Sequence, residues 1–292
     1  MTGSSDNSLV ASIRNRTNTF AGTPVAKRLR AGRCRLGYRW LRFAFRSTLS
    51  GDFDFVVQGL TAVVSLPFLW LRDLVRAHQV LCPICLWEGY HFYPNVGPGY
   101  NERRILCPGC GGLARQRDLL ILLVHAKSIT NNDGQKRIVE VAPMRGFERL
   151  MQGIDTADYT SFDIERNAMI RGDITDMPFD DSSVDLFICF HVLEHIPKVD
   201  LALSEIVRVL KPSGKALIQV PVDWSLEHGF DYDEPDPREV GHVRRYGQDV
   251  RDTMARVGLA IVDLRSTDFV EPDTAALLGL SDEIVFSASR TN

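Results

Sequence analysis

The sequence lacks three things: an apolar run long enough to cross a bilayer, enough cysteines for a disulfide framework, and more than a single acid in its first fifty residues. The longest uninterrupted apolar stretch, Val56 to Leu71, is about 16 residues and contains Gln58 and Pro67, short of the roughly 20 that span hydrocarbon. Six cysteines cannot staple a chain of 292 residues, so the fold must be held by a buried core. No internal repeat recurs, which excludes solenoids. The first 25 residues have no apolar segment ending in a small-residue cleavage site and read as lacking a secretory leader. They are instead rich in Arg, Ser and Thr with Asp6 the sole acid up to residue 50, which leaves an organellar transit peptide open for a eukaryotic source.

What is present is globular: 45% hydrophobic and 24% charged residues, with length for one sizeable domain and a smaller one. The net charge of −3 hides an asymmetry, because residues 1–126 carry 16 Lys and Arg against 7 Asp and Glu, and residues 127–292 carry 18 against 30. The two parts therefore do different jobs. Residues 1–52 read as a disordered basic tail, with Lys27, Arg28, Arg30, Arg33, Arg35, Arg39, Arg42 and Arg46 clustered in it. Residues 53–78 read as an apolar or amphipathic helix. A basic flank followed by such a helix with Trp70 suits peripheral contact of residues 53–75 with an anionic membrane surface. The competing reading is a helix packed on the folded domain. Reduced cysteine pairs place the protein in the cytoplasm, or peripherally at the cytoplasmic face of a membrane if the helix meets lipid.

Residues 79–112 hold Cys82-Pro-Ile-Cys85 and Cys107-Pro-Gly-Cys110, close to the spacing of structural zinc sites. Two C-x-x-C turns supply four thiolates to one tetrahedral ion, which leaves no position open for catalysis. Zn2+ is the expected metal, with iron a chemical substitute in the same cage. The intervening segment can form a hairpin with Trp87 and Phe92 on one arm and Ile105 on the other, too small to fold without the metal. Cys34 falls in the tail, and Cys189 reads as a small core residue.

Beyond the helix expected at Leu113–Lys127, apolar runs of strand length alternate with helical segments. The expected strands are Arg137–Ala142, Tyr159–Phe162, Met169–Arg171, Val184–Phe190, Lys215–Pro221, Ala260–Leu264 and Glu283–Ser287; the helices include Leu201–Leu210 and Gln248–Val257. This is the α/β pattern of a doubly wound, mostly parallel sheet. The first strand ends in a turn toward Gly146, where such folds seat nucleotide-like ligands. Asp163 ends the second strand and suits ribose hydroxyls; Asp173 follows the third and suits an adenine amino group, with Met177 or Phe179 to cover the ring. The fourth strand opens into a polar edge bearing His191, Glu194 and His195, and Lys211–Gly214 reads as a helix stop.

In this order and spacing, VEVAPMRG, YTSFD, GDITDMPF, VDLFICFHVLEHIP and EIVRVLKPSGKALIQVPV resemble class I S-adenosylmethionine-dependent methyltransferases. With the cysteine pairs upstream and GHVRRYG downstream, the chain resembles the subgroup carrying an N-terminal zinc ribbon. The resemblance covers roughly residues 80–290 and implies a Rossmann-like seven-stranded domain over 113–292. It also implies S-adenosyl-L-methionine as cofactor. Glu140 then matches the acid that orients the methionine part, Gly146 the last glycine of that motif, and Asp163 the ribose acid. Asp173 and Ile174 match the adenine-contacting pair, and His191 borders the sulfonium and the acceptor. Ala142, on the cofactor side of the turn, and Met144 stand where the family usually has glycine.

Methyl transfer to a hydroxyl needs a general base, for which His191, His195 and His242 are candidates. His195 and His242 also read as packing residues. The segment Val222–Val240 reads as an acceptor-binding loop or a solvated connection, with acids at 223, 227, 231, 233, 234, 236 and 239. That rim repels phosphate backbones, so a small-molecule, glycan or lipid-linked acceptor is expected ahead of nucleic acid. Two alternatives stay open: a zinc-binding interaction or membrane-recruitment protein with an inactive methyltransferase fold, and a zinc-bearing RNA methyltransferase.

Overall fold

Phe53–Val75 forms one helix, as its apolar run predicts, with Pro67 accommodated inside it. The computed structural model describes residues 53–97, 100–126, 128, 135–155, 157–164, 168–236 and 239–291. The basic tail and Cys34 lie outside the described residues. In chain order the elements are α1 (Phe53–Val75), β1 (Val80–Leu81), β2 (Glu88–Gly89), β3 (Tyr93–Gly97), β4 (Tyr100–Leu106), α2 (Ala114–His125), β5 (Lys136–Val141), α3 (Arg145–Met151), β6 (Ala157–Asp163) and β7 (Ile170–Arg171). They continue with β8 (Val184–Phe190), α4 (Val199–Val209), β9 (Leu210–Gln219), β10 (Phe230–Asp236), β11 (His242–Arg245), α5 (Val250–Ala255), β12 (Leu259–Leu264), α6 (Pro272–Leu278) and β13 (Val285–Arg290). The chain divides into two compact units. Among the described residues, one comprises those up to Leu122 with Met144–Gly153 and Ser266–Asp282; the other comprises those in Leu123–Pro143, in Ile154–Arg265 and from Glu283 onward.

In the first unit, β3 and β4 pair as a hairpin between the cysteine turns, with Ile105 on one arm as expected but Trp87 and Phe92 ahead of the other. Val63, Leu66 and Leu69 of α1 pack against Tyr93, Val96, Leu106 and Leu113. Asp73 fixes the end of the helix by accepting from the Tyr93 hydroxyl (2.8 Å) and the Tyr90 amide (3.3 Å). The opposite face is different. Val57, Leu60, Val64, Phe68, Leu71 and Val75 recur at three- and four-residue spacing and are all exposed. So α1 packs along one stripe and presents apolar side chains on another.

Arg117 of α2 is fully buried. Its guanidinium donates to the carbonyls of Gly279 (2.7 Å) and Ile105 (2.9 Å) and lies 3.8 Å from the centre of the Phe92 ring. Next to it, Asp118 accepts hydrogen bonds from the Ser266 hydroxyl and from the amide and hydroxyl of Ser281. Helix α6 was not expected from sequence, although its signals are conventional: Pro272 at the first turn and Gly279 in the left-handed conformation that ends it.

The second unit contains the entire seven-stranded sheet, in the order β12-β13-β9-β8-β5-β6-β7. β7, β6, β5, β8 and β9 are mutually parallel, and β13 runs antiparallel between β9 and β12. The near-continuous apolar strands follow from burial on both faces, as for Val139, Phe162, Phe187 and Ile218. Helix α4 buries Ala202, Leu203, Ile206 and Val209, one amphipathic stripe.

Three expectations are corrected here. The helix expected at Gln248–Val257 is limited to Val250–Ala255. The residues expected as a stop after α4, Lys211–Gly214, instead belong to β9, because Leu210 already turns extended and the strand begins there. The segment expected as a loop or plain connection, 222–240, contains β10, which pairs antiparallel with β11 and places Phe230 opposite Arg245.

Candidate active site and cysteine cluster

Because β5 connects first to β6 on one side and its other neighbour is β8, the chain reverses its winding direction above β5. In open α/β sheets this switch point, at the carboxyl ends of the strands, is where ligands bind. The register locates it. Val141 lies beside Phe162 of β6 and Cys189 of β8, so Ala142, Asp163 and Phe190 form the next row and His191 follows it. The Ala142 amide donates to the Phe162 carbonyl (2.9 Å) and the His191 amide to that of Gln219 (2.8 Å). Both Ala142 (φ 50°) and His191 (φ 55°) are left-handed without being glycine. That costs about 1–2 kcal/mol each and is the kind of strain found where a fold holds a site. The Ala142 position thus has the backbone a glycine would take, with a methyl group added.

Glu140 is buried on β5 and accepts a hydrogen bond from the Tyr159 hydroxyl of β6, a partner that sequence alone did not single out. Asp163 is buried at the end of β6 and its carbonyl accepts from the Gly172 amide (3.2 Å). Asp173 is half-buried. Its Oδ1 accepts from the amide and hydroxyl of Thr175, both at 2.8 Å, which fixes the turn after β7. Ile174 is buried beside it. Met177 and Phe179, expected as ring covers, are core residues; Phe179 packs edge-on to Phe162 with ring centres 5.5 Å apart.

His191 holds Nδ1 3.2 Å from Oε1 of Glu194, which is completely buried. His195 follows, and its ring meets that of His242 edge-on, 4.8 Å between centres. Burial lowers the pKa of His242, which favours its neutral imidazole. Glu239 accepts from the Tyr232 hydroxyl and the Arg245 guanidinium. Part of the acidic hairpin charge is thereby compensated, while Asp233 and Glu234 stay exposed.

Gly146 belongs to the first unit, where its missing side chain has a specific reason. A Cβ there would lie 2.8 Å from the Cys110 carbonyl oxygen. Met144 packs with the cluster around Tyr93, Leu106 and Leu113. The four thiols Cys82, Cys85, Cys107 and Cys110 lie within 4.8 Å of one another, with Sγ separations of 3.8 Å for Cys82–Cys110 and 3.6 Å for Cys85–Cys107. A tetrahedron of sulfurs about 2.3 Å from one ion has edges of about 3.8 Å, so the cluster fits zinc. All described cysteines are free thiols. Neighbouring thiols, Cys107 first, push the Cys85 thiol well up, and burial followed by Cys110 does so for Cys107. Four thiolates cannot share this space without a cation. Cys189 is a buried core residue, as expected.

Residues 106–218 match the methyltransferase domain family. Sterol 4-C-methyltransferase strm-1 of Caenorhabditis elegans is 36% identical over 70 residues, 24% of this chain and 20% of that protein. Sterol 24-C-methyltransferase erg6 of Schizosaccharomyces pombe is 24% identical over 168 residues, 48% of this chain and 44% of that protein. The ubiquinone/menaquinone biosynthesis C-methyltransferase UbiE of Brucella canis is 35% identical over 75 residues, 22% and 28% of the two chains. The chain thus aligns with less than half the length of each.

Proposed function

We propose that this chain, whose residues 106–218 match the methyltransferase domain family, transfers a methyl group from S-adenosylmethionine to a small-molecule acceptor at the carboxyl edge of the sheet. One observation carries this reading: Ala142, Asp163 and His191 stand at the carboxyl ends of adjoining parallel strands at the switch point, with Glu140 two residues before Ala142 on β5 and Asp173 beyond β7. Bound there, the cofactor would present an electrophilic methyl carbon on a cationic sulfur. Glu140 would orient the methionine part, Asp163 would accept the ribose hydroxyls, and Asp173 with Ile174 would contact the adenine. His191 would border the sulfonium, and Gly146 matches the end of the motif. The protein's contribution is alignment and exclusion of water, since the leaving group is already activated. For a hydroxyl acceptor, His191, His195 and His242 are the candidate bases.

The relatives named for sterols and for a quinone favour a small, apolar acceptor over a polymer. The exposed apolar stripe of α1 favours peripheral contact with a membrane, where such acceptors reside. Among the described residues no helix is long and apolar enough to cross one. Flotation with anionic vesicles tests this contact: wild type should float and Phe68→Glu should not, whereas equal behaviour of the two would refute it.

Zinc in the cysteine cluster would be structural, because four protein thiolates close its coordination. The buried Arg117 guanidinium beside Cys82 and Cys107 supports this assignment, since a four-thiolate zinc centre carries the negative charge that guanidinium needs. Calorimetric titration of the full chain with S-adenosylmethionine tests the main reading. The expected result is saturable heat, with much weaker binding of adenosine. No heat and no thermal shift at millimolar cofactor would instead favour the inactive zinc-binding alternative, and copurifying RNA that becomes methylated would favour an RNA acceptor.

A further inference from the structure

Glu194 and His195 lie in the 3-10 turn Leu193–His195 that follows β8, and His242 begins β11. One ligand atom from each lies within 4.8 Å of the others. Glu194 has no exposed surface, and neither carboxylate oxygen has a hydrogen-bond partner. His191 Nδ1 approaches Oε1 to 3.2 Å without hydrogen-bond geometry. Arg244 directs its Nη2 at the carbonyls of Ile196 and Pro197, both 3.0 Å away. A buried carboxylate left in this state is strongly unfavourable unless a proton or a cation compensates it.

The two imidazoles are set up for such a cation. His195 Nδ1 is 3.4 Å from the Gly241 carbonyl, and His242 Nδ1 is 3.6 Å from the Glu239 carboxylate. Metal-binding histidines commonly donate one ring N–H to a carbonyl or carboxylate and so fix the tautomer that offers the other nitrogen. On that pattern Nε2 of both rings would be the donors.

We propose that Glu194, His195 and His242 hold a divalent first-row transition cation, separate from the cysteine cluster. Two imidazoles and one carboxylate form the donor set of open zinc and ferrous sites, quite unlike the closed cage of four thiolates. The ion would neutralise Glu194 and tie the connection after β8 to the β10–β11 hairpin. Three protein donors leave a position for water or for an acceptor oxygen beside His191. That last use rests on the methyltransferase reading; the ion site does not. His195 and His242 would then be ligands, leaving His191 as the base.

The test uses the full chain with zinc in its cysteine cluster, equilibrated with Co2+, freed of unbound metal and analysed for both elements. Wild type should retain one cobalt besides its zinc, with a visible spectrum lacking thiolate-to-cobalt charge transfer. Glu194→Gln, which keeps the shape and removes the buried charge, and His242→Ala should each keep zinc and lose cobalt. Wild type that retains no cobalt overturns the proposal, as does Glu194→Gln that retains it. If Glu194→Gln also loses zinc and so has failed to fold, His242→Ala and the wild-type spectrum decide. Cobalt bound without any binding of S-adenosylmethionine would mark failure of the methyltransferase reading alone.

Discussion

Asp118 makes stability depend on pH in a way that one substitution removes. Its carboxyl is buried under Ser266 and Ser281, and burial raises its pKa from 3.8 to about 6 despite three donated hydrogen bonds. At pH values below both pKa values, folded and unfolded chains carry the same proton. Between them the unfolded chain releases it and the folded chain does not, so stability falls as pH rises and levels off above the folded pKa. The full loss is about 3 kcal/mol, of which roughly half, about 1.5 kcal/mol, accrues between about pH 5 and about pH 8. That interval is the useful one, because stronger acid strips metal from thiolates. In Asp118→Asn the amide oxygen still accepts from Ser266 Oγ and the Ser281 amide, while Nδ2 donates to the Ser281 hydroxyl. Urea unfolding of both proteins across this interval should show the variant gaining about 1.5 kcal/mol relative to wild type as pH rises. A difference that stays constant with pH, or moves the other way, would refute the reasoning.

Cys107→Ser should reduce bound zinc to well below one per chain and lower stability by about 3 kcal/mol or more; full zinc content with an unchanged melting temperature would count against the site. Asp163→Ala should leave the fold intact and weaken S-adenosylmethionine about 100-fold or more, from the loss of two charge-assisted hydrogen bonds of about 1.5–3 kcal/mol each; calorimetry showing wild-type affinity would remove Asp163 from the ribose site. At the left-handed Ala142, glycine should be tolerated or stabilise by up to about 1 kcal/mol, and valine should destabilise by more than that. Thermal melts showing the reverse order would mean the turn does not hold this conformation.

The strands that build the crevice were legible because each is a short, doubly buried apolar run. Arg137–Ala142 is observed as Lys136–Val141, and Val184–Phe190 as expected. Helix α4 was legible through its amphipathic stripe. β10 was not, since FDYDEPD is mostly exposed and alternates only over its first four residues, and it is a strand only through its pairing with β11. In the site, the three acids and His191 could be placed at strand ends by spacing, but the cross-strand Tyr159 bond to Glu140 depends on register. The burial of Glu194 was equally invisible, because the chain brings His242 to it from 48 positions further on. Gly146 illustrates the converse. Its sequence context suggested a cofactor motif, and the structure adds the close approach of the Cys110 carbonyl.

The central claim is that Glu140, Ala142, Asp163, Asp173 and His191 together cradle an adenosyl sulfonium. A crystal structure of the full chain soaked with S-adenosylhomocysteine tests it most directly. Density is expected above Ala142, with ribose hydroxyls on Asp163, adenine toward Asp173 and Ile174, and sulfur facing His191. Density at another surface, or a vacant switch point at saturating ligand, would contradict it.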